Sequence, residues 1–182
     1  MFESMHKPAI LLTGKPGVGK TTVIKKIVSL LGDKAGGFYT REVRACGRRV
    51  GFEIVALAGQ IDYLATKDPD ITFGQEAPFG KYRVNLEGID TVAVPALYRA
   101  MEQGQIIVID EIGPMEILSK RFCHAVLEIL DSDSPVVGTI VQRRNVFADQ
   151  VKEHPRVTVK HVTVANRDQM ADQIYAEIRR RT

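Results

Sequence analysis

The eight residues Gly14-Lys15-Pro16-Gly17-Val18-Gly19-Lys20-Thr21 constrain this chain more than any others. They satisfy G-x-x-x-x-G-K-[S/T] in full. An apolar run, residues 9–12, precedes them. A helical pattern over 20–31 follows, with Val23, Ile24, Ile27, Val28, Leu30 and Leu31 as its apolar positions and Gly32 as its stop. A strand, a glycine-rich turn and a helix in that order make a phosphate-binding loop. Gly14, Gly17 and Gly19 let backbone N–H groups converge on one anion, and the start of the helix adds its positive end. Lys20 brings an ammonium for the outer phosphates, and Thr21 a hydroxyl for Mg²⁺. Lys15, Pro16 and Val18 complete the loop.

The rest of the chain agrees with such a loop. Residues 37–43 and 50–57 read as a hairpin turning through Cys46-Gly47. A short strand over 61–65 lies within the Asp-, Gly- and Pro-rich stretch 59–78, and another strand covers 81–86. Helical spacing marks 91–103, 117–130, 146–153 and 167–180; strands fall at 105–110, 135–141 and 157–164. Apolar strands alternating with helices predict an α/β fold of three layers, a mostly parallel sheet covered on both faces, with the hairpin as an antiparallel addition. Its ligand belongs at the carboxyl ends of the strands. Residues 1–7 are expected to be a flexible tail, and 8–182 a single domain.

The run Ile106-Ile107-Val108-Ile109 ends in Asp110-Glu111 and continues into Ile112 and Gly113. An acid at the end of an apolar strand can hold Mg²⁺ through its water shell. Thr21 and Asp110 are therefore the metal candidates. The next carboxylate, Glu111, can orient or deprotonate a water in line with the γ-phosphate. Charge on the transferring phosphoryl group calls for a cation; Arg143 and Arg144, just past the strand ending at Val141, are the candidates beside Lys20, with Lys15 in the loop itself. Arg41, Arg44, Arg48 and Arg49 crowd the hairpin, either as a weak nucleic-acid contact or as a solvated basic edge. His6, His124, His154 and His161 are scattered and mark no metal site. Phe38 or Tyr39 is a candidate for stacking on a base, with core packing as the alternative. No Asn-Lys-x-Asp occurs, so guanine specificity has no support.

Composition sets limits. With 45% apolar residues, 26% charged and a net charge of +3, the chain is an ordinary globular one, too weakly basic to argue for nucleic acid by itself. Its two cysteines, Cys46 and Cys123, make no framework and suit a reducing, cytoplasmic setting. The apolar runs are too short to cross a bilayer.

Four segments carry a family resemblance: the loop 14–21; Gly-Phe-Tyr-Thr-Arg-Glu-Val-Arg at 37–44 with Gly-Phe-Glu-Ile-Val at 51–55; Gly-Lys-Tyr-Arg-Val-Asn at 80–85; and Ile-Ile-Val-Ile-Asp-Glu-Ile-Gly-Pro-Met-Glu at 106–116. From about residue 8 to 180 the chain resembles the small thermophile-type, or cancer-related, nucleoside triphosphatases. The resemblance implies a RecA-like core, Mg²⁺ dependence and slow hydrolysis of several NTPs with little base preference. It also implies nucleotide binding through 14–21 and 106–113. The expectation is thus Mg²⁺-dependent hydrolysis of ATP, GTP, CTP and UTP to nucleoside diphosphate and phosphate, by a monomer or small homo-oligomer. Two alternatives stand beside it: a nucleotide or small-molecule kinase on the same scaffold, and a nucleotide-gated RNA- or protein-binding module.

Overall fold

The computed structural model describes residues 7–181. Residues 1–6 of the expected tail lie outside them. Lys7 is tied down: its N–H donates to Asp133 Oδ1 at 3.1 Å, and its carbonyl accepts from Arg156 Nη2 at 2.9 Å.

Among the described residues nine strands form one sheet: β1 (Ala9–Thr13), β2 (Ala35–Ala45), β3 (Arg48–Ala56), β4 (Ile61–Thr66), β5 (Glu76–Phe79), β6 (Tyr82–Asn85), β7 (Ile106–Ile112), β8 (Val136–Ile140) and β9 (Val157–His161). Their order is β5-β6-β4-β3-β2-β7-β8-β1-β9. The half from β2 to β9 is parallel, and the half from β3 to β5 is antiparallel. The helices are α1 (Lys20–Leu31), α2 (Leu86–Gly88), α3 (Val94–Glu102), α4 (Lys120–Asp131), α5 (Val146–Lys152) and α6 (Arg167–Arg181).

The period of two along β1 builds the three layers. Ile10 and Leu12 join one buried cluster with Val23, Ile24 and Ile27 of α1 and Ile174 and Ile178 of α6. Ala9 and Leu11 join the other, with Leu97 of α3 and Phe122, Val126 and Ile129 of α4. The Phe38 and Phe122 rings meet edge to face at 6.0 Å inside that second cluster.

The antiparallel part is larger than a hairpin. β2 and β3 do turn through Cys46-Gly47, both at positive φ (48° and 74°), which suits a two-residue connection of primed type. Beyond β3 the sheet continues through β4, β6 and β5. Leu64, Ala65 and Val84 of that wing are buried in the same cluster as Phe122; within 59–78 the strand expected at 61–65 is thus part of the core, while residues 67–75 are loop with no fully buried residue. β6 ends at Asn85, which joins three elements: its Nδ2 donates to Tyr63 O at 3.0 Å and its Oδ1 accepts from Gly88 N at 2.9 Å. That side-chain cap starts the helix at Leu86, five residues before the apolar pattern at Thr91 suggests. The helix passes through a π-helical turn, Ile89–Ala93, where Pro95 just beyond has no N–H to donate back. α4 likewise starts at Lys120 rather than 117, because Ser119 Oγ accepts from Phe122 N at 3.0 Å.

Candidate active site

β1 delivers the chain to the loop and α1 carries it away. At Gly14 the backbone passes so close to the segment after β9 that a Cβ would lie 2.7 Å from Val162 O. The loop closes on itself through Val18 N–H to Lys15 O at 3.2 Å. Lys20 folds over it, Nζ donating to Gly14 O at 2.9 Å. No side chain among the described residues caps α1. Its first N–H groups therefore remain available to an anion, reinforced by the helix dipole. Lys15, Pro16 and Gly17 are exposed, and Val18, Gly19, Lys20 and Thr21 half-buried.

β7 brings the acids. Ile106, Ile107, Val108 and Ile109 are buried in the two clusters, and their side chains hold the strand in the sheet. Asp110 follows at 1% exposure. Its Oδ1 accepts from Thr139 Oγ1 of β8 at 2.6 Å. Its Oδ2 is buried and has no hydrogen-bond partner among the described residues. The Thr21 hydroxyl stands beside this carboxylate without closing a regular hydrogen bond to it. Burial pushes the Asp110 carboxyl above the usual range; Thr139, Thr21 and the charges of Lys20 and Lys25 work in the opposite direction. Two hard oxygen donors, one of them an unpartnered buried carboxylate oxygen, make a set that suits a small divalent cation.

The Asp110–Glu111 peptide is cis. Glu111 is half-buried; burial raises its pKa, and the Lys20 ammonium pulls it back down. Ile112 and Gly113 are buried. Glu116 stands on the far side of Gly113: a Cβ there would lie 2.7 Å from Glu116 Oε2 and 3.3 Å from Glu111 Cδ. Only glycine lets both carboxyls occupy that gap. Glu116 is 4% exposed, and burial, followed by the charge of Glu111, pushes its carboxyl up to about 8.

A model of the NTPase family matches residues 9–175. The chain belongs to that family. The nucleoside-triphosphatase THEP1 of Thermotoga sp. strain RQ2 is 41% identical over 172 residues, which cover 93% of this chain and 95% of that protein. Two solved structures share the fold. THEP1 from the hyperthermophile Aquifex aeolicus has a TM-score of 0.80 at 37% identity, over 91% of this chain and 96% of that one. A human cancer-related nucleoside triphosphatase has a TM-score of 0.78 at 34% identity, over 93% and 96%. The recognised resemblance and the α/β fold both hold.

Within this NTPase the other candidates divide. Arg143 and Arg144 are exposed on the connection between β8 and α5. That connection leaves the sheet between Asp110 on β7 and the loop on β1. The hairpin arginines are largely spoken for. Arg41 pairs with Glu53 at 2.6 Å, while Arg44 and Arg49 share Glu42 at 2.6 and 2.9 Å. Arg48 is exposed and makes no ion pair among the described residues. Phe38 is in the core, and Tyr39 lies under Lys25, 5.0 Å from its ring centre.

Three residues of the site escaped the sequence reading. Thr139 orients Asp110, and its signal is a lone polar residue in an otherwise apolar strand. Glu116 sits in a motif but gives no local sign of burial. Arg167 reaches the loop, Nη1 donating to Val18 O at 3.3 Å; nothing in the sequence links positions so far apart.

Proposed function

We propose that this NTPase hydrolyses ATP, GTP, CTP and UTP, each as its magnesium complex, to nucleoside diphosphate and phosphate. The observation that carries the reading is the end of β7, where a buried carboxylate with one unpartnered oxygen is followed directly by a half-buried second carboxylate beside Lys20.

The loop amides and Lys20 bind the β- and γ-phosphates. The Thr21 hydroxyl and Asp110 Oδ2 would hold Mg²⁺, which would supply positive charge to offset that of the phosphates. Glu111 accepts a proton from the attacking water. Burial raises its pKa and so makes the carboxylate a stronger base than usual, while the charge of Lys20 works in the opposite direction. As the water oxygen bonds to the γ-phosphorus, the bond to the bridging oxygen breaks, and Lys20 meets the charge left on the β-phosphate. Arg143 and Arg144, leaving the sheet between β7 and β1, are the cations assigned to the transferring group. Broad base acceptance belongs to the same reading, as do one domain over 8–182 and a cytoplasmic setting for the two free thiols. Among the described residues no helix is long and apolar enough to cross a membrane.

The test is phosphate release from the four NTPs by the native protein and by Glu111→Gln, which keeps the side-chain size and removes the base. Turnover should fall roughly a hundredfold or more, within the range for loss of a general base, while nucleotide binding persists. Native protein that binds NTP yet releases no phosphate would sink the hydrolase reading.

A further inference from the structure

The acids of β7 fix which side of the loop the γ-phosphate occupies. In the order β7-β8-β1-β9, a nucleotide laid across the loop from the β7 side can extend its nucleoside only towards β9. There the chain turns from β9 into α6. Asn166 sets the turn: its Oδ1 accepts from Thr163 N at 2.8 Å and its Nδ2 donates to His161 O at 2.9 Å. The turn lays Arg167 along the loop, where a Cβ on Gly19 would lie 3.4 Å from Arg167 Cδ. Next to the guanidinium a cavity of about 460 Å³ opens between Thr22 and Lys26 of α1 and Arg167 and Ala171 of α6. Lys26 Nζ meets Asp172 Oδ2 at 2.7 Å across the two helices that form its walls. Its size lies within the range of small-molecule pockets.

We propose that this cavity is the nucleobase subsite, with the flat guanidinium of Arg167 as the stacking platform. The inference rests on the triphosphate reading above and deepens it. A stacked guanidinium meets every base through its π-face, so it binds without choosing. Selection would need buried groups fixed against the edge of the base. The pocket's acid, Asp168, is instead 89% exposed at its side chain, and Thr22 and Lys26 are exposed. Base acceptance is broad here because the site has a face and no edge.

Calorimetric titration separates this inference from the hydrolase reading, because it needs no turnover. The probes are the magnesium complexes of ADP, GDP, CDP, UDP and pyrophosphate; the proteins are native, Arg167→Ala and Arg167→Lys. Native protein should bind the four diphosphates within a few-fold of one another and more tightly than pyrophosphate. Arg167→Ala should weaken all four about tenfold more than it weakens pyrophosphate, the scale of one stacked base, since its bond to Val18 O touches only the loop. Arg167→Lys should restore little, since an ammonium has no flat face. Equal weakening of pyrophosphate would make Arg167 a support of the loop and overturn the subsite, as would unchanged affinity for every diphosphate or loss confined to one base. Native protein that binds neither pyrophosphate nor nucleotide would remove the triphosphate reading itself.

Discussion

Replacing Glu116 with glutamine keeps the shape of a buried side chain and removes its titration. In the folded chain the carboxyl is pushed from an ordinary 4.5 to about 8, by burial first and by the charge of Glu111 second. The sign follows from proton counting. Between those values the folded chain holds a proton that the unfolded chain has released, so the stability contribution is complete below the unfolded value and is lost as pH rises through the folded one. At 1.36 kcal/mol per unit the whole span amounts to roughly 4–5 kcal/mol. About 2–3 kcal/mol of it falls between pH 6 and pH 9. Asp110 and Glu111 are shifted in the same direction, so both proteins should lose stability on alkalinisation; the difference between them reports Glu116. Urea unfolding without metal or nucleotide, at pH 6 and pH 9, measures it. The native protein should lose that much more than Glu116→Gln over the interval, and the variant should be the more stable protein at pH 9. Parallel losses would refute the reasoning, because the proton would then not be on Glu116.

Two further changes test the frame around the site. Thr139→Val keeps the β-branched shape and removes the hydroxyl that donates to Asp110 Oδ1 at 2.6 Å; urea unfolding should show a loss of about 1–3 kcal/mol for this buried bond, and the Mg²⁺ concentration for half-maximal phosphate release should rise about tenfold, with no change in either arguing that Asp110 is held some other way. Arg156 Nη1 donates to Leu130 O at 2.7 Å at the end of α4, and its Nη2 to Ser134 O at 2.6 Å and Lys7 O at 2.9 Å; Arg156→Lys cannot span these carbonyls and should cost about 2 kcal/mol in a thermal melt while leaving kcat unchanged.

What the sequence displays is what short spacing can carry. Gly14 to Thr21 and Ile106 to Glu111 each place their chemistry within eight residues, so the loop and the acids were legible before any fold was known. β1, β7 and β8 were legible too, because burial on both faces makes them nearly continuous apolar runs. β5 was not: Glu76–Phe79 is four residues long, contains Pro78 and lies at the sheet edge, where half-exposed positions leave no apolar run. The start of α2 was hidden because Asn85 closes a strand and caps a helix at once. Thr139 and Arg167 were missed because their partners, Asp110 and Val18, lie in distant segments; the polar position in β8 marks Thr139 but does not name its partner. Glu116 was missed because its burial is not written in its own motif.

In the sheet β1 is flanked by β8 and β9 and by no other strand. A chain leaving the ribosome therefore presents its phosphate-loop strand long before either neighbour has been made. Until residues 136–162 arrive, Ile10 and Leu12 have no neighbouring strand to pair with, and Gly14 has no Val162 to be framed by. Pairing between such distant segments is slow and leaves apolar strand exposed in the meantime. Nucleotide capture thus becomes a late event in biosynthesis: a prematurely terminated chain can carry the entire motif and still be unable to grip a phosphate.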